Sequence, residues 1–115
     1  MANIKDWLVS AASDDGEAIE AIVVGGMHIR GAVALPEEGK VLSAEDGLAI
    51  LDVEFDAGYG APECRSMFAW TASKVYFIRE YDGSTDLGWV PRHPVAGAAY
   101  LIGDADGPMI EELRI

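Results

Sequence analysis

The sequence predicts one α+β domain: an antiparallel sheet of about five strands, including a meander over 65–91, with two short helices over 3–12 and 44–51. Two stretches place apolar residues at helical spacing directly behind a capping side chain. Three β-rich runs follow one another at hairpin distance between 65 and 91. No repeat, low-complexity tract or long linker divides the 115 residues.

The first helix is "NIKDWLVSAA" (3–12), with Asn3 as cap, Asp6 in the first turn, and Ile4, Trp7, Leu8 and Ala11 on one face. "SDDG" is expected to break it. "EAIEAIVVGG" (17–26) fits helical spacing at Ile19, Ile22 and Val23, yet "AIVV" has strand composition, so a turn leading into a strand over 20–24 is expected. "MHIRGAVAL" (27–35) reads as a second strand, ended by Pro36. Ser43 then caps the second helix, with Glu45 and Asp46 where the helix dipole favours negative charge, despite Gly47 inside it.

"LDVEFD" (51–56) alternates apolar and acidic residues, the signature of an amphipathic strand. Leu51, Val53 and Phe55 then share one face, and Asp52, Glu54 and Asp56 the other. The meander follows as "RSMFAW" (65–70), "KVYFIREY" (74–81) and "LGWVP" (87–91), joined by "TAS" and by a connector with the turn dipeptide Asp82-Gly83. "AAYLIG" (98–103) is expected to add a strand, and "GPMIEELRI" (107–115) a closing helical turn with Pro108 first. Strand 74–81 is apolar on both faces, Tyr76 and Ile78 on one, Val75, Phe77 and Tyr81 on the other. It is therefore expected either to be covered on both sides or to leave one face for a partner.

Charge is the strongest global signal: 20 acidic residues against 8 basic ones give a net charge of −12. Residues 1–56 hold 12 acids and 3 bases, whereas residues 57–100 hold 4 of each. This balance argues against nucleic acid or an anionic membrane as a direct partner, and it suits a basic protein. The N-terminal stretch, with Lys5 and Asp6 ahead of a short apolar run, does not read as a signal peptide or a membrane span. A cytoplasmic location is the expectation.

The ladder Asp52, Glu54 and Asp56 is the first candidate site. Same-face carboxylates on a strand recur at roughly 6.7 Å, where unit charges in water repel by only about 0.6 kcal/mol. Such a row is tolerable when exposed, too wide to ligate a metal by itself, and without a neighbouring His, Lys or Arg for catalysis. Asp14, Asp15, Glu17, Glu20, Glu37, Glu38, Glu45 and Asp46 would extend it into a broad negative face if they lie nearby. "DAGYGAPEC" (56–64) sets Tyr59 between two glycines, as a displayed anchor or as a lid on the core. Cys64 is the one cysteine and reads as a buried or incidental thiol despite Arg65 beside it. "GWVPRHP" (88–94) offers Trp89 and Arg92 as a contact patch on a stiff segment, or Trp89 as core.

His28 and His93 lack metal-ligand spacing, and "GDADG" (103–107) lacks the later ligands of a calcium loop. No catalytic or phosphate-binding motif is present, so the sequence implies no enzyme, no cofactor and no metal. The leading expectation is a small acidic, non-catalytic protein that masks a basic partner of the nucleic-acid-binding or nuclease type. It resembles a DNA mimic or immunity-type inhibitor in charge and size alone. Its partner-binding residues are expected to be Asp52, Glu54, Asp56, Tyr59, Glu45, Asp46 and Trp89. The alternative is an assembly protein, a homodimer or larger homo-oligomer formed through the meander sheet. A third reading, an enzyme with Glu54, Tyr59, Cys64 and His93 converging on a pocket, requires such a pocket to exist.

Overall fold

The computed structural model describes residues 1–27, 31–58, 60 and 62–97. The elements in order are β1 (Ala2–Asn3), α1 (Ile4–Asp15), β2 (Ala21–Met27), α2 (Ala44–Leu51), β3 (Glu54–Phe55), β4 (Arg65–Trp70), β5 (Lys74–Tyr81) and β6 (Ser84–Pro91). This is the expected α+β class: a four-stranded antiparallel sheet in the order β2-β4-β5-β6, plus a two-stranded β1-β3 ladder. No helix among the described residues is long and apolar enough to cross a membrane.

Both helices begin where their caps place them. Asn3 accepts the Asp6 N–H at 3.3 Å, and Ser43 accepts the Asp46 N–H at 3.1 Å, each satisfying a first-turn donor. The first helix runs past the expected end at residue 12, because Ser13, Asp14 and Asp15 all tolerate helical dihedrals. It stops at Gly16, which takes φ 67° and returns its N–H to the last carbonyls. The second helix occupies 44–51 as read from the sequence. Gly47 lies within it because the helix sits directly on β2: a Cβ there would be 2.5 Å from Ile22 Cβ.

The helices cover one side of the sheet. Ile4, Leu8 and Leu51 pack there against Ile22, Val24, Met67, Ala69, Tyr76 and Trp89 in a single core. Phe55 joins this core, its ring 5.5 Å from that of Trp7 in an edge-to-face pair.

Three expected strands change. The stretch 51–56 is not one amphipathic strand, since only Glu54–Phe55 pairs, with Ala2–Asn3. Asp52 closes α2 at φ −81°, ψ 68°, with Val53 N–H bonded to Leu51 O at 2.9 Å, an inverse γ-turn. That turn breaks the alternation, so Leu51 and Phe55 are buried while Val53 is 61% exposed. The strand expected over 27–35 is absent from residues 31–35, which form a turn and an irregular connection. The edge of β2 is instead lined by residues 39–42: Gly39 N–H donates to Val24 O, and Leu42 exchanges two hydrogen bonds with Ile22. β6 starts at Ser84, three residues before the expected 87, because the turn uses only Asp82 and Gly83. Both have positive φ, 49° and 82°, which matches a two-residue hairpin turn to the twist of its strands.

His28, Tyr59, the strand expected over 98–103 and the turn expected over 107–115 lie outside the described residues.

Candidate interaction surfaces

The sequence pointed to carboxylates, and the fold sorts them into two groups. One group is tied down by the chain's own cations. Lys74 pairs with Asp15, Arg92 with Glu20 at 2.6 Å, Arg65 with Glu38 at 2.8 Å, Arg79 with Asp86 at 2.8 Å and Lys5 with Asp52 at 3.6 Å. Among the described lysines and arginines only Lys40 lies outside these pairs. Four of the five pairings join elements distant in sequence, which is why spacing along the chain did not reveal them; Arg79–Asp86 crosses the β5–β6 hairpin.

The Lys74–Asp15 pair is the most enclosed, with the two side chains 10% and 13% exposed. Tyr76 donates its hydroxyl to the same carboxylate oxygen at 2.9 Å, and the Lys74 ammonium lies 4.3 Å from the centroid of the Trp89 ring. Trp89 is therefore a core residue, 5% exposed, and not a displayed anchor. Arg92, next to it in the sequence-predicted patch, donates to Thr71 O and Glu20 and so fastens the end of β6.

The second group is exposed: Asp6 and Asp14 on α1, Glu45 and Asp46 at the start of α2, Glu54 and Asp56 around β3, and also Glu63 before β4 and Glu80 and Asp82 at the β5–β6 turn. α1 and α2 pack on the same side of the sheet, so Asp6, Asp14, Glu45 and Asp46 belong to the helical side of the molecule, and Glu54 and Asp56 flank Phe55, which packs into the same core. Of the expected ladder, Asp52 is diverted. Its Oδ1 accepts from Asn3 Nδ2 at 2.9 Å, and this bond together with Lys5 holds its carboxyl below the usual aspartate range. Asp56 caps its own loop by accepting the Gly58 N–H at 2.8 Å. Glu17 is also held below the ordinary glutamate range, by hydrogen bonds from Thr71 and Ser73 that dock the segment just after α1 on the β4–β5 turn.

The other side of the sheet is apolar. Val23, Phe68, Trp70, Val75, Phe77 and Val90 project from it in register: Val23 opposite Phe68, Phe68 opposite Phe77, Trp70 opposite Val75, and Val75 opposite Val90. The Phe77 ring lies along the strand opposite it at Gly88, where a Cβ would come within 2.8 Å of the ring. Phe68 stands up from the face and is 52% exposed, its ring 6.1 Å from that of Trp70. A groove of about 480 Å³ runs over this face, lined by Val23, Phe68, Val75, Phe77 and Val90. One charged pair shares it: Arg79 makes two hydrogen bonds to Asp86, at 2.9 and 2.8 Å, across the β5–β6 ladder. The sequence signal for this surface was the two-sided apolar pattern of 74–81.

Cys64 borders a small cavity of about 50 Å³ with Ile4, Ile50, Leu51 and Phe55. The thiol is buried, and burial pushes its pKa up, away from the reactive thiolate. Neither Glu54 nor His93 lines that cavity, so the two do not converge with Cys64 there. Among the described residues no three His, Cys, Asp or Glu side chains are grouped to hold a metal ion. Comparison with known protein families, with curated proteins and with solved structures finds no match, so the functional reading rests on the chain's own geometry.

Proposed function

We propose that this chain is a non-catalytic, cytoplasmic interaction protein that binds a basic surface on a protein which itself binds or cuts nucleic acid, and thereby masks it. Its carboxylates stand where phosphates otherwise would. The observation that carries this reading is the internal use of the cations: Lys5, Arg65, Lys74, Arg79 and Arg92 are each paired with a carboxylate. The exposed acids of the helical side, Asp6, Asp14, Glu45, Asp46, Glu54 and Asp56, are left to set the outward potential. A field of one sign steers an oppositely charged partner and raises its association rate by about 10- to 1,000-fold at low salt.

The contact residues are Glu45 and Asp46 at the start of α2 and Glu54 and Asp56 around β3. Asp52 acts indirectly, by tying α2 to β1 through Asn3. The test is capture on the immobilised chain at low salt, in parallel with a Glu45→Gln, Asp46→Asn, Glu54→Gln, Asp56→Asn variant. Basic nucleic-acid-binding proteins are expected on the first column and not on the second, and duplex DNA added in solution is expected to displace them.

A further inference from the structure

Four Asp-Gly steps punctuate the chain, at 15–16, 46–47, 82–83 and 106–107. Such a step can close on itself, because a glycine has no side chain to shield its amide nitrogen from the preceding carboxyl carbon. Ring closure asks two things of the fold. The aspartyl carboxyl has to be free, and the glycine nitrogen has to be able to turn towards it. The dipeptide is the same at each place, so the fold decides where both conditions are met. The fourth step lies outside the described residues.

At Asp15-Gly16 neither condition holds. The Asp15 carboxylate is held by Lys74 and Tyr76, and Gly16 N–H is donated to the last carbonyls of α1. At Asp46-Gly47 the carboxylate is exposed, but the nitrogen is fixed inside α2. Gly47 N–H donates to Ser43 O at 2.9 Å, and the residue is seated on Ile22. Freeing that nitrogen means unwinding the start of a helix that is packed on the sheet.

Asp82-Gly83 differs on both counts. Asp82 is exposed, and its carboxylate has no bonded partner among the described residues. The hairpin closes at the pair Tyr81 and Ser84, so the 82–83 peptide stands outside the β5–β6 ladder. Gly83 donates its N–H to a side chain, Glu80 Oε1, at 2.7 Å. Asp82 is also the one non-glycine residue with positive φ among the described residues, at 49°.

We propose that Asp82 is a self-modification site, at which the chain converts aspartate to isoaspartate with Glu80 as the base. The Gly83 nitrogen attacks Cγ of the protonated Asp82 carboxyl, and its proton passes to the Glu80 carboxylate. The tetrahedral carbon then expels hydroxide, which takes that proton and leaves as water. A five-membered succinimide remains. Water adds back to the ring, and opening at the Asp82 main-chain carbonyl leaves the chain running through Cγ. The product has the composition and charge of the original chain, with one extra methylene in the main chain of a two-residue turn.

Peptide mapping of the full chain after weeks at neutral pH and 37 °C tests the proposal. Isoaspartate is read by its methylation with S-adenosylmethionine and an isoaspartate methyltransferase. The peptide containing residue 82 is expected to carry at least tenfold more isoaspartate than those containing residues 46 and 15. In urea, where the fold no longer selects, the three are expected to accumulate it at comparable rates. Glu80→Gln keeps an acceptor for the Gly83 N–H but supplies no base, and it is expected to slow the native reaction severalfold. Absence of isoaspartate at residue 82 of the native chain overturns the proposal, as do equal amounts at residues 46 and 82. A preference for residue 82 that persists in urea shows that the fold does not select the site and overturns it as well. An unchanged rate in Glu80→Gln overturns the assignment of the base.

Discussion

Lys74 and Asp15 join the sheet to the end of α1 through a mostly buried ion pair, and Tyr76 donates to the same carboxylate oxygen. The pair anchors the helical side of the molecule to β5, the strand that also carries Phe77 on the opposite face.

Breaking that pair from one side leaves the other charge buried without its partner. Lys74→Met or Asp15→Asn alone is expected to cost about 3–5 kcal/mol. The double variant Lys74→Met with Asp15→Leu should recover much of that loss, because no charge is then left unpaired. Urea midpoints of the four proteins give the coupling directly; strictly additive losses would show that the pair is not a unit.

Gly47→Ala gives a second measure of how closely α2 lies on the sheet. Helix propensity alone favours alanine by about 1 kcal/mol. The new Cβ, however, would lie 2.5 Å from Ile22 Cβ, so α2 has to move away from β2. The expected result is a destabilisation of about 1–3 kcal/mol. A rise in the thermal midpoint would refute the close approach.

These two features differ in how far they could be read from the sequence. The caps at Asn3 and Ser43 and the turn at Asp82-Gly83 were legible because each is decided within four residues. The break in "LDVEFD" was not, because the Asp52 turn is stabilised by a bond to Asn3, which is 49 positions away. The ion pairs were hidden in the same way, with Asp15 and Lys74 separated by 59 positions and Glu20 and Arg92 by 72. Trp89 reads equally well as anchor or core until the register places it beside Tyr76. The open face was half-legible, since a two-sided apolar strand announces that something covers it but not which face the helices take.

The Asp52 carboxyl is expected to titrate below its ordinary value of 3.8, because the ionised form accepts from Asn3 and lies near Lys5. A folded pKa below the unfolded one contributes stability above the unfolded value, and this is lost as pH falls through the lower folded value. The effect therefore belongs to the acid limb, below about pH 4. NMR titration of the side-chain carboxyl carbons is expected to show an upward shift in Asn3→Ala; an unchanged midpoint contradicts the assigned cause.

Cys64 is buried, and burial raises its pKa, so two effects suppress its reactivity. A thiol-specific chromogenic reagent at pH 8 is expected to react with the native chain at least tenfold more slowly than with the urea-unfolded chain. Equal rates would place the thiol at the surface.

The central claim is that the acids of the helical side recognise a basic protein in place of nucleic acid. The most direct measurement is the dissociation constant, over a series of salt concentrations, for a basic nucleic-acid-binding protein recovered on the immobilised chain. The wild type is expected to bind steeply more weakly as salt rises and to compete with duplex DNA for the partner. The Glu45→Gln, Asp46→Asn, Glu54→Gln, Asp56→Asn variant is expected to bind at least tenfold more weakly at low salt. A constant that is flat in salt, indifferent to DNA and equal for both proteins would contradict it.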